Sequence, residues 1–140
     1  MIFVDTSAIV AILGAEPEAT VLADTIEAAD HALSAGHVVL EASMRLSTLL
    51  GLTPTLADAL VTRLLREARI EVVPITEDIA HLAVAAFERY GKGRHEARLN
   101  FGDCLSYACA DAHAAALLFK GDDFAANDVR RAAPSPRPSP

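Results

Sequence analysis

Acidic residues stand at five positions where an α/β protein would collect them at one place. Asp5 directly follows a short apolar stretch, and Asp122 and Asp123 follow the apolar "ALLFK" after a single glycine. Asp103 opens a predicted helix, and Glu41 lies in the first turns of another. Ligands of open parallel sheets bind beyond the carboxyl ends of the strands. We therefore expect these carboxylates to meet at one edge of a sheet.

Carboxylates that converge repel one another, and burying them without a partner is costly. A hard divalent cation removes this conflict, because Mg²⁺ prefers carboxylate oxygens as ligands. Such a cation can orient a water molecule, lower its pKa and stabilise charge on a phosphoryl group. The pattern thus indicates metal-dependent phosphoryl chemistry, with Asp5 as a metal ligand on a rigid strand.

Each of these acids also has a purely structural interpretation. Asp5 suits the N-cap of the helix that follows it, and Asp103 suits the positive end of a helix dipole. A glutamate such as Glu41 on a helix surface is usually solvated. Asp122 and Asp123 fit a "GDDF" turn. Spacing alone leaves both interpretations open.

Strands and helices alternate along the chain, which predicts parallel βαβ units and a three-layer α/β/α fold. The predicted strands are Ile2–Val4, "HALSA", "IEVVPI" and "ALLFK". A helical hairpin turns at 51–55, and Thr6 or Ser7 is expected to cap the first helix. Apolar spacing predicts three buried helix stripes, made of Val39, Ala42, Leu46 and Leu49; of Ile79, Leu82, Ala86 and Tyr90; and of Leu105, Ala108, Cys109 and Ala112.

Composition limits the class of protein. The 140 residues fit one domain, which we place at 1–131, before a proline-rich tail at 132–140. The net charge of −7 argues against a generally basic nucleic-acid surface. The spacing of the two cysteines suits neither a disulfide framework nor a zinc site, and no apolar run approaches the roughly 20 residues of a membrane span. We expect a soluble, cytoplasmic protein with no membrane attachment.

Four sequence blocks, taken in order, resemble the PIN-domain ribonucleases, specifically the VapC-type toxins of bacterial toxin–antitoxin pairs. These blocks are "MIFVDTSAIVAIL", "EASMRL", "LNFGDCLSYACA" and "LLFKGDDFAANDV". The resemblance runs from Met1 to about Arg131. One departure is Asn127, which stands where the family's last motif commonly carries a threonine.

The resemblance implies Mg²⁺- or Mn²⁺-dependent cleavage of RNA. Asp5, Glu41 and Asp103 match the acids of the family's site, with Asp122 as the first choice for the fourth acid and Asp123 as the second. Asp5, Asp103 and Asp122 would be the metal ligands. Glu41 would hold a metal-bound water or a second ion, with Thr6 as a supporting hydroxyl. No role is assigned to Asn100 or Ser106, and the five histidines are placed at the surface or in the core.

The resemblance also implies partners: an antitoxin protein, and a second copy of the chain in a homodimer. Leu49, Leu50, Leu52 and Leu56 of the helical hairpin are candidates for such contacts, although ordinary core packing is an alternative for them. RNA would approach along the segment at 89–98, which carries four cations and one anion, 4 − 1 = +3. Its cations, Arg89, Lys92, Arg94 and Arg98, are candidates for phosphate contacts. A solvated loop is the competing interpretation.

Two rival functions remain to be weighed. A haloacid-dehalogenase-like phosphatase also has an aspartate after its first strand, but its chemistry needs a second acid at position 7, where this chain has Ser7. A catalytically silent binding module with the same fold would bind an antitoxin or RNA without turnover. The full set of acids argues against that module, and metal-dependent cleavage of single-stranded RNA would separate the two.

Overall fold

The computed structural model describes residues 1–91, 93, 98–121 and 132. Within them, strands and helices alternate as the sequence predicts. The elements in chain order are β1 (Ile2–Val4), α1 (Thr6–Leu13), α2 (Ala19–Ala28), β2 (Ala32–Ala35), α3 (Gly36–Leu50), α4 (Pro54–Glu67), β3 (Ile70–Val73), α5 (Glu77–Tyr90), α6 (Phe101–Ala112) and β4 (Ala116–Leu118).

The four strands form one parallel sheet in the order β3-β2-β1-β4. β1 is therefore interior, and all three of its residues are buried, as a strand covered by helices on both faces requires. The backbone N–H of Asp5 donates to the carbonyl of Leu118 at 3.0 Å, which extends the pairing with β4 by one residue. The predicted three-layer α/β/α architecture is confirmed.

Local signals explain where several helices begin and end. Thr53 caps α4 with its hydroxyl oxygen, and Pro54 occupies the first turn, where it costs no hydrogen bond. Gly51 ends α3 in the left-handed conformation, at φ +65°. The expectation that Thr6 or Ser7 caps α1 is wrong, because the cap is Asp5.

The predicted helix stripes are correct at their centres and wrong at single positions. Leu49 is 55% exposed and Leu82 is 37% exposed, while Ala112 is also exposed. On α5 the buried residue in place of Leu82 is Ala83, because this helix packs closely against α6. Successive residues of a helix point about 100° apart. A buried stripe predicted one position too early on α5 therefore includes Leu82, whose side chain the structure leaves exposed.

Two contacts tie the later part of the chain to the sheet and to α5. The N–H of Leu99 donates to the carbonyl of Tyr90 at 2.9 Å, which joins the two ends of the basic segment. Ala132 is buried, and its N–H donates to the carbonyl of Leu117 at 2.9 Å along the outer edge of β4. The division into a domain at 1–131 and a tail at 132–140 stays a prediction.

No single helix among the described residues has the length and apolar character needed to cross a bilayer. Within those residues, only α3 and α4 taken together reach that length and composition, and the pair is bent by 120° at the break between them.

Candidate active site

Asp5 lies immediately beyond the carboxyl end of β1, almost fully buried. Its Oδ2 atom accepts two hydrogen bonds from Ser7, from the backbone N–H at 3.1 Å and from the hydroxyl at 2.8 Å. The same hydroxyl oxygen accepts the backbone N–H of Lys120 at 2.9 Å. Ser7 therefore fixes the Asp5 carboxylate and links it to the segment that follows β4.

Glu41 projects from α3 into the space between α1 and α6. The hydroxyl of Thr6, itself buried, donates to Glu41 Oε1 at 2.7 Å. On the other side the carboxylate lies against the backbone of Gly102. A Cβ atom on that glycine would be 2.6 Å from Oε2 and 2.7 Å from Oε1. Glu41 thus contacts the residue after Asp5 and the residue before Asp103.

Asp103 is buried at the N-terminus of α6, where it forms a capping box with Asn100. The backbone N–H of Asn100 donates to Asp103 Oδ2 at 3.0 Å, and the N–H of Asp103 donates to Asn100 Oδ1 at 2.9 Å. Sequence reasoning assigned no role to Asn100. The signal was present, because a capping residue followed three positions later by an acid is the pattern of a capping box.

The three described acids therefore border one region at the carboxyl edge of the sheet. Asp5 follows β1 directly, and Glu41 lies on the helix that follows β2. In the part of the chain that the structure describes, no group of three or more His, Cys, Asp or Glu side chains is arranged to hold a metal ion. Asp122 and Asp123 lie outside that part. The three acids thus share a neighbourhood without forming a closed metal cage by themselves.

The side chains of Asp5 and Glu41 accept hydrogen bonds from neutral donors, the N–H and O–H groups of Ser7 and the hydroxyl of Thr6. Each carboxylate keeps further lone pairs, since an ionised carboxyl group has about four acceptor positions. Oxygen donors of this kind suit hard divalent cations such as Mg²⁺ and Mn²⁺.

His37 is a residue of this region that sequence reasoning placed outside it. Its Nε2 atom lies 2.9 Å from Ser106 Oγ, and its ring stacks on Phe3 with centroids 6.2 Å apart. Burial lowers the pKa of His37, and the nearby charge of Asp5 opposes this shift. The Nδ1 atom is buried and has no hydrogen-bond partner among the described residues.

Helical spacing could have found the pair of His37 and Ser106. His37 precedes Glu41 by four residues on α3, and Ser106 follows Asp103 by three residues on α6. Residues at these separations share a helix face. The contact between them therefore joins the two acid-bearing helices next to the acids.

The structure describes two of the four candidate RNA-contacting cations. The guanidinium of Arg89 lies over the ring of Tyr90, 5.1 Å from its centroid, and Tyr90 packs on Tyr107 of α6 at 5.8 Å. Arg98 is exposed and adopts a left-handed backbone, at φ +53°. Lys92 and Arg94 lie outside the described residues, so contact with RNA stays a prediction for all four.

The candidate partner surface on the helical hairpin is largely open to solvent. Leu49, Leu50 and Leu56 are exposed, while Leu52 is half-buried. Core packing therefore does not account for the three exposed leucines, and their use in partner contacts stays a prediction.

Comparison with known proteins relates this arrangement to a family. Residues 2–129 match the PIN domain. Ribonuclease VapC28 of Mycobacterium tuberculosis is 44% identical over 130 residues, which cover 92% of this chain and 96% of that protein. The chain belongs to the PIN-domain family, among its VapC ribonucleases. A second relative, Ribonuclease VapC42 of the same organism, is 42% identical over 132 residues, which cover 92% of this chain and 97% of the relative.

Two solved structures share the fold. The crystal structure of Mycobacterium tuberculosis VapC20, described as a sarcin–ricin loop cleaving toxin, aligns with a TM-score of 0.69 at 21% identity, over 92% of this chain and 97% of that one. A toxin–antitoxin complex from Klebsiella pneumoniae aligns with a TM-score of 0.65 at 20% identity, over 90% of this chain and 92% of its counterpart. At these identities the likeness concerns the fold alone.

Proposed function

We propose that this VapC ribonuclease is the toxin of a toxin–antitoxin pair and that Asp5, Glu41 and Asp103 form its metal-dependent site for RNA cleavage. The observation that carries the proposal is the position of Glu41, held by Thr6 on one side and against Gly102 on the other. One carboxylate thereby connects the two backbone segments that bear the other two acids.

The proposed ligands of the divalent cation are Asp5, Asp103 and an acid from the segment after β4, Asp122 by first choice and Asp123 by second. The cation is Mg²⁺ or Mn²⁺, both of which bind carboxylate oxygens. When bound, it supplies Lewis-acid stabilisation of the charge that develops on the phosphoryl oxygens.

Side chains of this protein orient the carboxylates of the proposed site. Ser7 and the N-terminus of α1 hold the Asp5 carboxylate in one orientation. The Thr6 hydroxyl holds Glu41 Oε1, which leaves Oε2 to accept a hydrogen bond from the attacking water. Hydrogen bonds of this kind fix the orientation of functional carboxylates before the reaction begins.

The proposal extends to the substrate path and the partners. The cations Arg89, Lys92, Arg94 and Arg98 precede α6 and would contact phosphates of single-stranded RNA. A VapB-like antitoxin and a second copy of this chain are the proposed protein partners. In support of the antitoxin, a structural neighbour is described as a toxin–antitoxin complex. A cytoplasmic location agrees with an RNA substrate and with two cysteines that are free thiols.

The decisive experiment measures cleavage of structured and unstructured RNA with Mg²⁺, with Mn²⁺ and with EDTA. It uses the wild-type protein, Asp5→Asn and Asp103→Asn. Asparagine keeps the capping ability of Asp5 but removes its charge. We expect EDTA to abolish cleavage and each variant to lose about 10²-fold or more of the rate, the scale of a lost electrostatic contact to the transition state.

A matched control comes from the same helix as Asp103. Asp111 is exposed near the end of α6, so Asp111→Asn changes charge equally without touching the site and should cleave at the wild-type rate. Cleavage that resists EDTA, or that Asp5→Asn retains in full, would contradict the metal site. Absence of cleavage by every protein on every RNA would favour the catalytically silent binding module.

A further inference from the structure

A second concave feature lies at the same sheet edge as the acids, between the ends of β2 and β3. It is a hollow of about 530 Å³ lined by Gly36, His37 and residues 72–75. The volume falls within the range of small-ligand sites, roughly 300–1,000 Å³. Gly36 directly follows β2 and Pro74 directly follows β3, so the hollow opens at the carboxyl edge, where sheets of this kind bind ligands.

The hollow is close to Asp5. Strand register places Ala35 opposite Val73, and Phe3 opposite Leu33, so the residue after β1 lies level with the ends of β2 and β3. The hollow and Asp5 are thus separated by at most two strand spacings, about 10 Å. His37 lines the hollow and also contacts Ser106 of α6, the helix that carries Asp103. The two features are therefore neighbouring parts of one surface.

The chemistry of the lining is apolar. Val72 is 48% exposed and Ile75 is 37% exposed, so both aliphatic side chains are accessible from the hollow. Pro74 lies between Val73 and Ile75 and is exposed as well. The imidazole of His37 is held in place by Ser106 and Phe3. A flat apolar group could pack against this fixed wall without disturbing it.

Charge decides which part of an RNA strand fits this hollow. The described residues that line the hollow include no lysine or arginine, so a phosphate there would find among them no cation of the kind that binds the nucleic-acid backbone. Occupancy of the hollow by a single strand then depends on a base, which stacks on aromatic side chains and packs on apolar ones. A phosphate contains no apolar surface to bury here, whereas a nucleobase does.

We infer that this hollow is a subsite for one nucleobase of the RNA, splayed out next to the phosphodiester that the acids cleave. Val72 and Ile75 form its apolar wall, and His37 forms its border with the cleavage site. The inference rests on the proposed function, because it takes the acids as the place of cleavage. It assigns to Val72 and Ile75 a part in selecting the position at which an RNA strand is cut.

The test compares two double variants in cleavage of a random single-stranded RNA pool, read out by sequencing the cut sites. Val72→Ser/Ile75→Ser removes the apolar wall. Leu82→Ser/Val84→Ser is the control, because these side chains are exposed on α5 and their exposures, 37% and 66%, are similar or greater. We expect the first variant to lose about 5- to 140-fold in kcat/KM, the scale of one stacked base, and to lose base preference at one position beside the cut.

Two further measurements separate base binding from other roles. The salt dependence of kcat/KM should stay unchanged in Val72→Ser/Ile75→Ser, because no phosphate contact is removed. An abasic nucleotide at the preferred position should slow the wild-type protein but add little to the loss in the variant, since both changes remove the same contact. The single variant Ile75→Ser, outside β3, repeats the test with less risk to the strand.

These experiments distinguish failure of the proposed base subsite from failure of the proposed nuclease function. If the wild-type protein cleaves with metal and Val72→Ser/Ile75→Ser retains both its rate and its base preference, the subsite is wrong and the nuclease stands. If that variant instead changes the oligomeric state or loses antitoxin binding, with base preference intact, the hollow is a protein interface and the inference is overturned.

Discussion

Asp5 serves two purposes that are usually assigned to different residues. It is the N-cap of α1, and it is also the acid at the centre of the proposed site. The two uses do not compete, because the capping bonds occupy Oδ2 alone and an ionised carboxylate has acceptor positions to spare. Asp103 likewise closes the capping box of α6, and it follows Gly102, the residue that Glu41 contacts. At the level of single residues, structural and chemical roles coincide.

Thr6 gives the first prediction at this scale. Thr6→Val keeps the shape of the side chain and removes the hydroxyl that donates to Glu41 Oε1. We expect the cleavage rate to fall about 10- to 100-fold, the usual cost of losing an outer-shell partner. We also expect the free energy of unfolding to fall by about 1.5–3 kcal/mol, the scale of a hydrogen bond to a charged group.

Thr6→Ser is the control for that prediction, because it retains the hydroxyl and should keep most of the rate. Both quantities are measured on the same preparations, by initial rates and by urea unfolding. A full cleavage rate in Thr6→Val would show that Glu41 needs no orientation by this group.

Gly102 gives the second prediction. A methyl group at this position would meet both carboxylate oxygens of Glu41, and these are the far end of a flexible side chain, so the glutamate moves and the fold survives. A displacement of about 1 Å can cost about 10² in rate. Gly102→Ala should therefore lose activity on that scale while remaining folded, because the gain in helix propensity of about 1 kcal/mol offsets part of the cost of disturbing the Thr6–Glu41 hydrogen bond.

The control for Gly102→Ala is Asp111→Ala, which also adds helix propensity to α6 but at an exposed site far along the helix. It should raise stability slightly and leave the rate alone. If Gly102→Ala were as active as this control, the close approach of Glu41 would have no catalytic meaning.

At the scale of elements, sequence patterns predicted the order of strands and helices because apolar runs and capping residues act locally. They misplaced Leu49 and Leu82, since which of two adjacent faces is buried depends on the neighbouring helix. They also missed the contact between His37 and Ser106, whose partners are 69 residues apart. The acids were found from the residue types and the resemblance, whereas the contacts that orient them depend on tertiary packing.

The capping box of α6 supports a prediction at this scale. Asn100→Ala removes the acceptor for the Asp103 N–H, so we expect a loss of about 1 kcal/mol in the free energy of unfolding. The Asp103 side chain is also held less firmly in this variant. The cleavage rate should therefore fall by more than the loss of stability alone explains. Asn100→Ser keeps a capping oxygen and should restore both quantities; failure to restore either would assign Asn100 a different role.

At the scale of the whole molecule, the two thiols report on the integrity of the fold. Burial raises the pKa of Cys104 to about 11, with the charge of Asp103 adding to the shift, and burial raises the pKa of Cys109 to about 11. At pH 8 both are protonated, and the thiolate is the reactive form. In the native protein the two thiols should therefore react with a thiol reagent only as fast as the fold opens. In the unfolded chain they should react without that delay.

The same shifts predict loss of stability in alkaline solution. The folded pKa lies above the ordinary value of 9.0, so above pH 9 the unfolded chain releases protons that the folded chain retains, and unfolding is favoured as pH rises. Between pH 8 and 10 we expect a loss on the order of 1 kcal/mol per thiol. Urea unfolding of the wild type and of Cys104→Ala/Cys109→Ala at both pH values measures it; equal slopes in the two proteins would contradict the assignment.

The order of the strands has a consequence for the newborn polypeptide. β1 is made before β2 and β4, yet in the sheet it lies between them. Asp5 gains its backbone bond only when Leu118 has been synthesised. A chain that stalls before Leu118 therefore contains Asp5 without its bond to β4, so the proposed site is incomplete until β4 has been synthesised.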